Sequence, residues 1–215
     1  MIVAIDGPAA AGKGTLARRL ADRLGLAMLD TGLLYRAVGW RVLEAGEDPA
    51  DARAATRAAR ALEAQDLENP HLRGDACAVA ASKVAAVPAV RAALLDMQRR
   101  FARNPPPGAK GAVLDGRDIG TVVCPDADVK FFITATVEAR AERRLKELRE
   151  RGQEAIYGRV LQDMKERDAR DSDRGVAPLV PADDAVVIDT GPLDADRVFT
   201  MALDHILSRT RSGKT

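Results

Sequence analysis

The stretch GPAAAGKGT, residues 7 to 15, stands between an apolar opening, MIVAID, and LARRLADRLG. A short run rich in β-branched residues and stopped by glycine reads as a parallel strand covered on both faces. Leu16, Leu20 and Leu24 then recur at helical spacing until Gly25 ends them. Strand, glycine loop and helix in that order can hold a polyphosphate. Backbone amides curl round the anion, the positive end of the helix faces it, and Lys13 reaches the terminal phosphates. Gly7, Gly12 and Gly14 let the main chain approach, and Pro8, Ala9, Ala10 and Ala11 complete the loop. The pattern departs from G-x-x-x-x-G-K-[ST] at one place: Gly14 occupies the hydroxyl position and Thr15 follows it. Taken alone the loop is as readily a plain turn between strand and helix. Its flanks, and a lysine between two glycines, favour nucleotide binding.

Four more runs of the same kind follow: LAMLD (26–30), AVLDG (112–116), VKFFIT (129–134) and AVVIDT (185–190). Separated by helical stretches, they predict an α/β fold with a five-stranded parallel sheet and the first strand central. With 215 residues, 47% of them apolar, the chain can bury a core in one domain carrying lobes. Net charge is +1 although 30% of residues are charged, so no overall field advertises nucleic acid or membrane as a partner. Cys77 and Cys124 are far apart without CxxC spacing and read as buried thiols of a cytoplasmic protein. Apolar runs fall far short of the ~18 residues a membrane span requires. His71 and His205 are isolated and read as structural or surface residues, and Trp40 and the few other aromatics are too sparse for a base-stacking platform.

Between the second and third strands lies a long helical insertion ending in NPPPG, and between the fourth and fifth a second one broken near Gly152. The expected organisation is a core of residues 1–30, 109–145 and 161–210, a lobe at 31–108, a lid at 146–160, and a disordered tail at 211–215.

The GKGT form of the loop is joined by LDTGLLYRA (29–37), AASKVAAVPAVR (80–91), LDGRDIGTVV (114–123), RDARDSDR (167–174) and PADDAVVIDT (181–190). In order and context these blocks resemble the bacterial cytidylate kinases, among the P-loop nucleoside monophosphate kinases. The resemblance implies transfer of the γ-phosphoryl group of ATP to CMP or dCMP, with Mg²⁺ arriving on ATP. It implies that Arg36, Arg117 and Arg174 hold the acceptor phosphate, that Arg167 and Asp171 contact its ribose, and that Ser82, Arg91 and Asp118 read the base. Thr31 is expected near the acceptor, whereas Tyr35 is left between site and packing. Arg143 and Arg144 are similar to lid arginines that face the donor nucleotide, and Arg143 is taken as an ATP contact. Bacterial relatives commonly carry a small antiparallel sheet in the acceptor lobe, which this sequence is too poor in alternating residues to build.

The chemistry asks for such residues. Two anions must be held in line, and guanidinium forks meet phosphate oxygens bidentately without losing their charge. Cytosine offers acceptors at O2 and N3 and a donor at its amino group, which a cation beside a carboxylate complements. Asp115 sits where a carboxylate could attend Mg²⁺ or its waters, with Thr15 as a second oxygen, and Asp6 could orient the loop. The competing reading for RDARDSDR is a solvated helix face whose alternating charges pair with each other. The rival functions are a P-loop kinase for UMP, AMP or a small metabolite, and a nucleotide-gated switch, for which no N-K-x-D motif is present. Nothing in the sequence demands a dimer, and a monomer is expected.

Overall fold

A computed structural model describes residues 1–212. Each apolar run becomes a strand: β1 (Ile2–Asp6), β2 (Ala27–Asp30), β3 (Ala112–Asp115), β4 (Val129–Thr134) and β5 (Val186–Asp189). They form one parallel sheet in the order β2-β3-β1-β4-β5, with β1 in the middle. In register, Ile2 faces Ala112 on one side, and Val3 faces Val129 on the other. Alternate residues of the inner strands point to opposite layers, and both layers are apolar, which is why these runs do not alternate with polar residues. On one face Val3, Ile5, Phe131 and Ile133 pack with Leu16 and Leu20 of α1 (Lys13–Leu24) and with Val198, Ala202 and Ile206 of α8 (Ala195–Ser212). On the other, Ala4 and Leu114 pack with Ile119, Val123 and Ala102.

The chain leaves β1 toward β2 and leaves β3 toward β4, so the connections part in opposite directions beside the C-terminal ends of β1 and β3. That crevice is where open α/β sheets receive ligands. The glycine loop opens from β1 into it, and Gly116, Arg117 and Asp118 enter it from β3. Gly7 is required at the first bend: its φ is +142°, and a Cβ there would lie 2.0 Å from the carbonyl oxygen of Ile133.

Between β2 and β3 stand α2 (Thr31–Glu44), α3 (Ala52–Arg60), two 3₁₀ turns (Ala64–Glu68 and Pro70–Arg73), α4 (Asp75–Val84) and α5 (Pro88–Arg103). Among the described residues this lobe contains no strand, as its sequence led us to expect. Asp30 starts α2 by accepting the Gly32 amide at 2.9 Å, and Pro88 opens α5 at a position that needs no N–H donor. The lobe's alanines allow close helix packing: a Cβ on Gly39 of α2 would come within 2.8 Å of the Cβ of Ala80 on α4. Leu34, Val38, Val84, Val90 and Leu94 form its own core.

After β4 the chain makes a hairpin of α6 (Val137–Glu150) and α7 (Tyr157–Ser172), whose turn falls inside the expected lid. Its buried residues, Ala141, Leu148, Val160 and Met164, pack against Ala9 and Ala10 of the glycine loop. The apolar side of the hairpin therefore covers the loop. The expected tail, 211–215, falls partly on residues 213–215, which lie outside the described residues; α8 runs through Ser212. No single helix among the described residues is long and apolar enough to cross a membrane.

Candidate active site

The glycine loop owes its shape to the way its carbonyls are engaged. Lys13 Nζ donates to Pro8 O at 2.9 Å, Arg140 Nη1 donates to Ala9 O at 3.2 Å, and Thr190 Oγ1 lies 3.0 Å from Ala11 O. Gly12 O already accepts the Leu16 amide of α1 at 3.1 Å. With these carbonyls turned away, the loop's amides and the start of α1 are left for an anion. Lys13 is 5% exposed, with its Nζ 3.8 Å from Asp115 Oδ1. Burial, and next the charge of Arg117, pull the ammonium down to about 8. Burial likewise raises Asp115, against the opposing pull of Lys13. Both groups lack enough compensating charge, and a phosphate with a divalent cation would supply it.

Beside them opens a cavity of about 680 Å³. Gly12, Lys13, Gly14 and Thr15 of the loop line it together with Arg36, Arg117 and Arg167, and Leu148, Val160 and Met164 line it from the hairpin. Among the described residues Arg167 Nε is buried without a hydrogen-bond partner, as are Nε and Nη1 of Arg174. Burial first, and then Arg117, push Arg167 below the ordinary guanidinium value. Since a guanidinium keeps its proton, the imbalance is a demand for an anion.

The other residues expected at the acceptor, Ser82, Arg91, Asp118, Asp171 and Arg174, do not line this cavity and are packed beside it on partners of their own. Asp171, 1% exposed, accepts from Arg117 Nε at 3.1 Å and from Arg174. Burial works against its charge, but Arg117, Arg174 and Arg167 outweigh it and hold the carboxyl below the usual range. Arg91 donates to Asp118 in a buried pair, and its guanidinium carbon lies 5.4 Å from the centre of the Tyr35 ring. Tyr35 is thus a packed wall of this cluster. Ser82 Oγ accepts from Arg170 Nε at 3.1 Å. Arg36 donates to the carbonyls of Leu72 and Gly74 while lining the cavity.

Asp6 accepts the amides of Ile119 and Gly120, each at 2.7 Å. These open a π-helical turn (Ile119–Val123), so Asp6 orients the loop after β3 rather than the glycine loop; burial raises it to about 6.

Thr31 and Arg143 are likewise absent from the cavity wall. Arg143 does not face the cavity: its fork is taken up by Thr190, Nη1 donating to Oγ1 at 2.8 Å and Nη2 to the carbonyl oxygen at 2.5 Å. Consecutive residues on a helix point about 100° apart, so Arg144 lines the cavity while Arg143 turns to the end of β5. Thr31 spends its hydroxyl proton on Asp115 O at 2.8 Å and ties α2 to β3. Sequence reasoning also passed over Asp30, which lines the cavity, and the pair Arg140–Asp168. The signal for Asp30 was present in its position before α2, where an aspartate caps.

Fold, loop and cavity together define a P-loop α/β protein of the phosphoryl-transferring class. The family model "Cytidylate kinase" matches residues 3–208, and the chain belongs to that family. It is 68% identical over 208 residues to a cytidylate kinase of Paramagnetospirillum magneticum (strain ATCC 700264 / AMB-1), covering 97% of this chain and 98% of that one. It is 60% identical over 211 residues to the cytidylate kinase of Rhodospirillum rubrum, covering 98% and 99%. Among solved structures it shares the fold of an uncharacterised protein from Eubacterium ventriosum ATCC 27560, with TM-score 0.55 at 18% identity over 97% of this chain and 99% of that one.

Proposed function

We propose that the chain moves the γ-phosphoryl group of ATP to CMP or dCMP, giving ADP and CDP or dCDP. Family membership supports the reaction. The observation that carries the site is a cavity joining Lys13 and the loop amides to Arg36, Arg117 and Arg167, whose buried Nε has no partner among the described residues.

ATP phosphates lie along the loop amides and Lys13. The acceptor phosphate lies against Arg36, Arg117 and Arg174, and its ribose meets Arg167 and Asp171. An acceptor oxygen attacks the γ-phosphorus in line, and the bond from that phosphorus to the β-γ bridging oxygen breaks, leaving ADP. Because a phosphate monoester has already lost its second proton near neutrality, with a pKa of about 6, no general base is required. Charge spreads over the transferred oxygens, and cations fixed on both sides stabilise it without reorganising. Leu148, Val160 and Met164 exclude water from that point.

Thr15 and Asp115 are oxygen donors suited to Mg²⁺, and the closeness of Asp115 Oδ2 to Gly14, 3.3 Å from where a Cβ would stand, brings the carboxylate to the loop. Among the described residues no cluster of three or more His, Cys, Asp or Glu could hold a metal by itself, so the ion would share its ligands with nucleotide and water. When bound it supplies charge neutralisation between the phosphates.

Arg91 and Asp118, once their own pair opens, offer cytosine a donor beside an acceptor, and Ser82, which now accepts from Arg170, is the third group that the resemblance assigns to the base. Uracil reverses both partners and leaves buried groups mispaired, at about 1 to 3 kcal/mol each. We place the protein in the cytoplasm as a monomer. ADP release with ATP and CMP, UMP or AMP tests the reading: CMP should be preferred by at least tenfold, and equal rates would remove the base-reading role.

A further inference from the structure

Arg140 is 4% exposed and lies outside the cavity, yet its guanidinium touches both the glycine loop and α7, the helix that brings Arg167 to the cavity. Nε donates to Ala135 O at 3.0 Å, which fixes the plane of the fork. Nη1 donates to Ala9 O at 3.2 Å, in the glycine loop, and to Asp168 Oδ1 at 3.1 Å, and Nη2 donates to Asp168 Oδ2. Ala9 precedes Ala10, a non-glycine residue with φ +58°, so the loop is bent through a sparsely populated conformation at the point Arg140 holds. The other engaged carbonyls of the loop, those of Pro8 and Ala11, are held by Lys13 and by Thr190 at the end of β5. Arg140 instead reaches Ala9 from the covering hairpin.

Asp168 follows Arg167 on α7 and precedes Asp171, the carboxylate shared by Arg117 and Arg174, by one helical turn. A shift of α7 therefore moves the acceptor cations and Asp168 together, and Asp168 passes it through a bidentate contact to the arginine that grips the loop. The hairpin does not need this link to close, because Leu148, Val160 and Met164 already pack its two helices together. A buried ion pair contributes little net stability over apolar packing, and specifying one arrangement is its better attested use.

We propose that Arg140 and Asp168 are positioning residues that couple the donor loop to the acceptor helix, so that each bound nucleotide strengthens the binding of the other. The inference rests on the reading of the cavity as joint ATP and CMP site. Its test is CMP binding by calorimetry with and without a non-hydrolysable ATP analogue and Mg²⁺, on the wild type, Asp168→Asn and Arg140→Lys. Asp168→Asn preserves shape and removes the charge, and Arg140→Lys keeps the charge but cannot span carboxylate and carbonyl together. The wild type should bind CMP at least fivefold more tightly with the analogue present. In both variants that factor should fall to within twofold of unity, with CMP alone bound within threefold of wild type and kcat lowered about tenfold. Coupling retained in either folded variant overturns the proposal. So does failure of both variants to fold, which would make the pair a stabiliser of the hairpin, and so does absence of coupling in the wild type. A wild type that binds no CMP at all would instead sink the reading of the site.

Discussion

The donor loop and the acceptor cluster handle charge in opposite ways. On the donor side the binding groups are backbone amides, fixed because the loop's carbonyls are already engaged, with the buried Lys13 beside them and the buried Arg140 holding Ala9 O. On the acceptor side the binding groups are arginines that hold their own carboxylates: Arg117 and Arg174 share Asp171, and Arg91 holds Asp118. A backbone cradle is ready for an anion before one arrives. A cluster of paired side chains must loosen and pair again, which lets it choose among anions but makes its affinity depend on several contacts at once. Damage to the loop should therefore abolish transfer, whereas damage to the cluster should change which acceptor is used.

The harshest test is Lys13→Met. It removes a cation that no other group can replace at the terminal phosphates, and kcat/KM should fall about 10³-fold, the scale seen when one preorganised electrostatic donor is lost. Thermal melting should change little, because relief of one poorly compensated buried charge is offset by leaving Asp115 without its cation. Activity within tenfold of wild type would show that the loop amides suffice and would break the contrast.

Asp118→Asn probes the other side. It leaves Arg91 buried without its counter-charge, which should cost about 3 kcal/mol of stability in chemical denaturation. The ratio of kcat/KM for CMP over UMP should fall by roughly tenfold, one mispaired group's worth. An unchanged ratio in a folded variant would detach the pair from base recognition.

The same contrast explains what the sequence could reveal. All five strands and the loop were legible, because a strand buried on both faces reads as a continuous apolar run and a backbone cradle needs glycines at fixed places. Lys13 was legible for the same local reason. The acceptor residues came only through resemblance: RDARDSDR has the alternating signs of a solvated helix, yet Asp168 and Asp171 turn inward to Arg140, Arg117 and Arg174. Nothing local distinguishes Arg140, Arg143 and Arg144, since what each does depends on the helix face it occupies and on partners distant in the chain. Arg140 meets the loop, Arg143 the end of β5, and Arg144 the cavity, where it pairs with Asp75 across from the lobe.

Arg143→Ala sharpens that distinction at smaller scale. Its bonds to Thr190 lie behind the loop, and losing them should lower kcat/KM for ATP by less than about fivefold, in keeping with roughly 1 kcal/mol for a typical hydrogen bond. A rise of tenfold or more in KM for ATP, with melting unchanged, would return Arg143 to the donor site.

The smallest expected effect is a proton. Lys13 stands at about 8 in the free protein, below its ordinary value of 10.5, because burial and Arg117 disfavour its charge. Between those two values the unfolded chain holds more protons than the folded one, so this group makes the free protein more stable as pH rises through that window; below about 8 the cost of the buried charge is present in full. A bound polyphosphate reverses the balance by attracting the ammonium and raising it again. Nucleotide phosphates have lost their last proton well below this range, so uptake there belongs to the protein. ATP-analogue binding at about pH 9 should take up close to one proton and at about pH 7 almost none, read from calorimetric enthalpies in two buffers of different ionisation heat. Affinity should weaken roughly threefold from about pH 7.5 to about 8.5, as the charged fraction falls. Lys13→Met should abolish the uptake, and uptake that persists in that variant would place the titrating group elsewhere, against its assignment to Lys13.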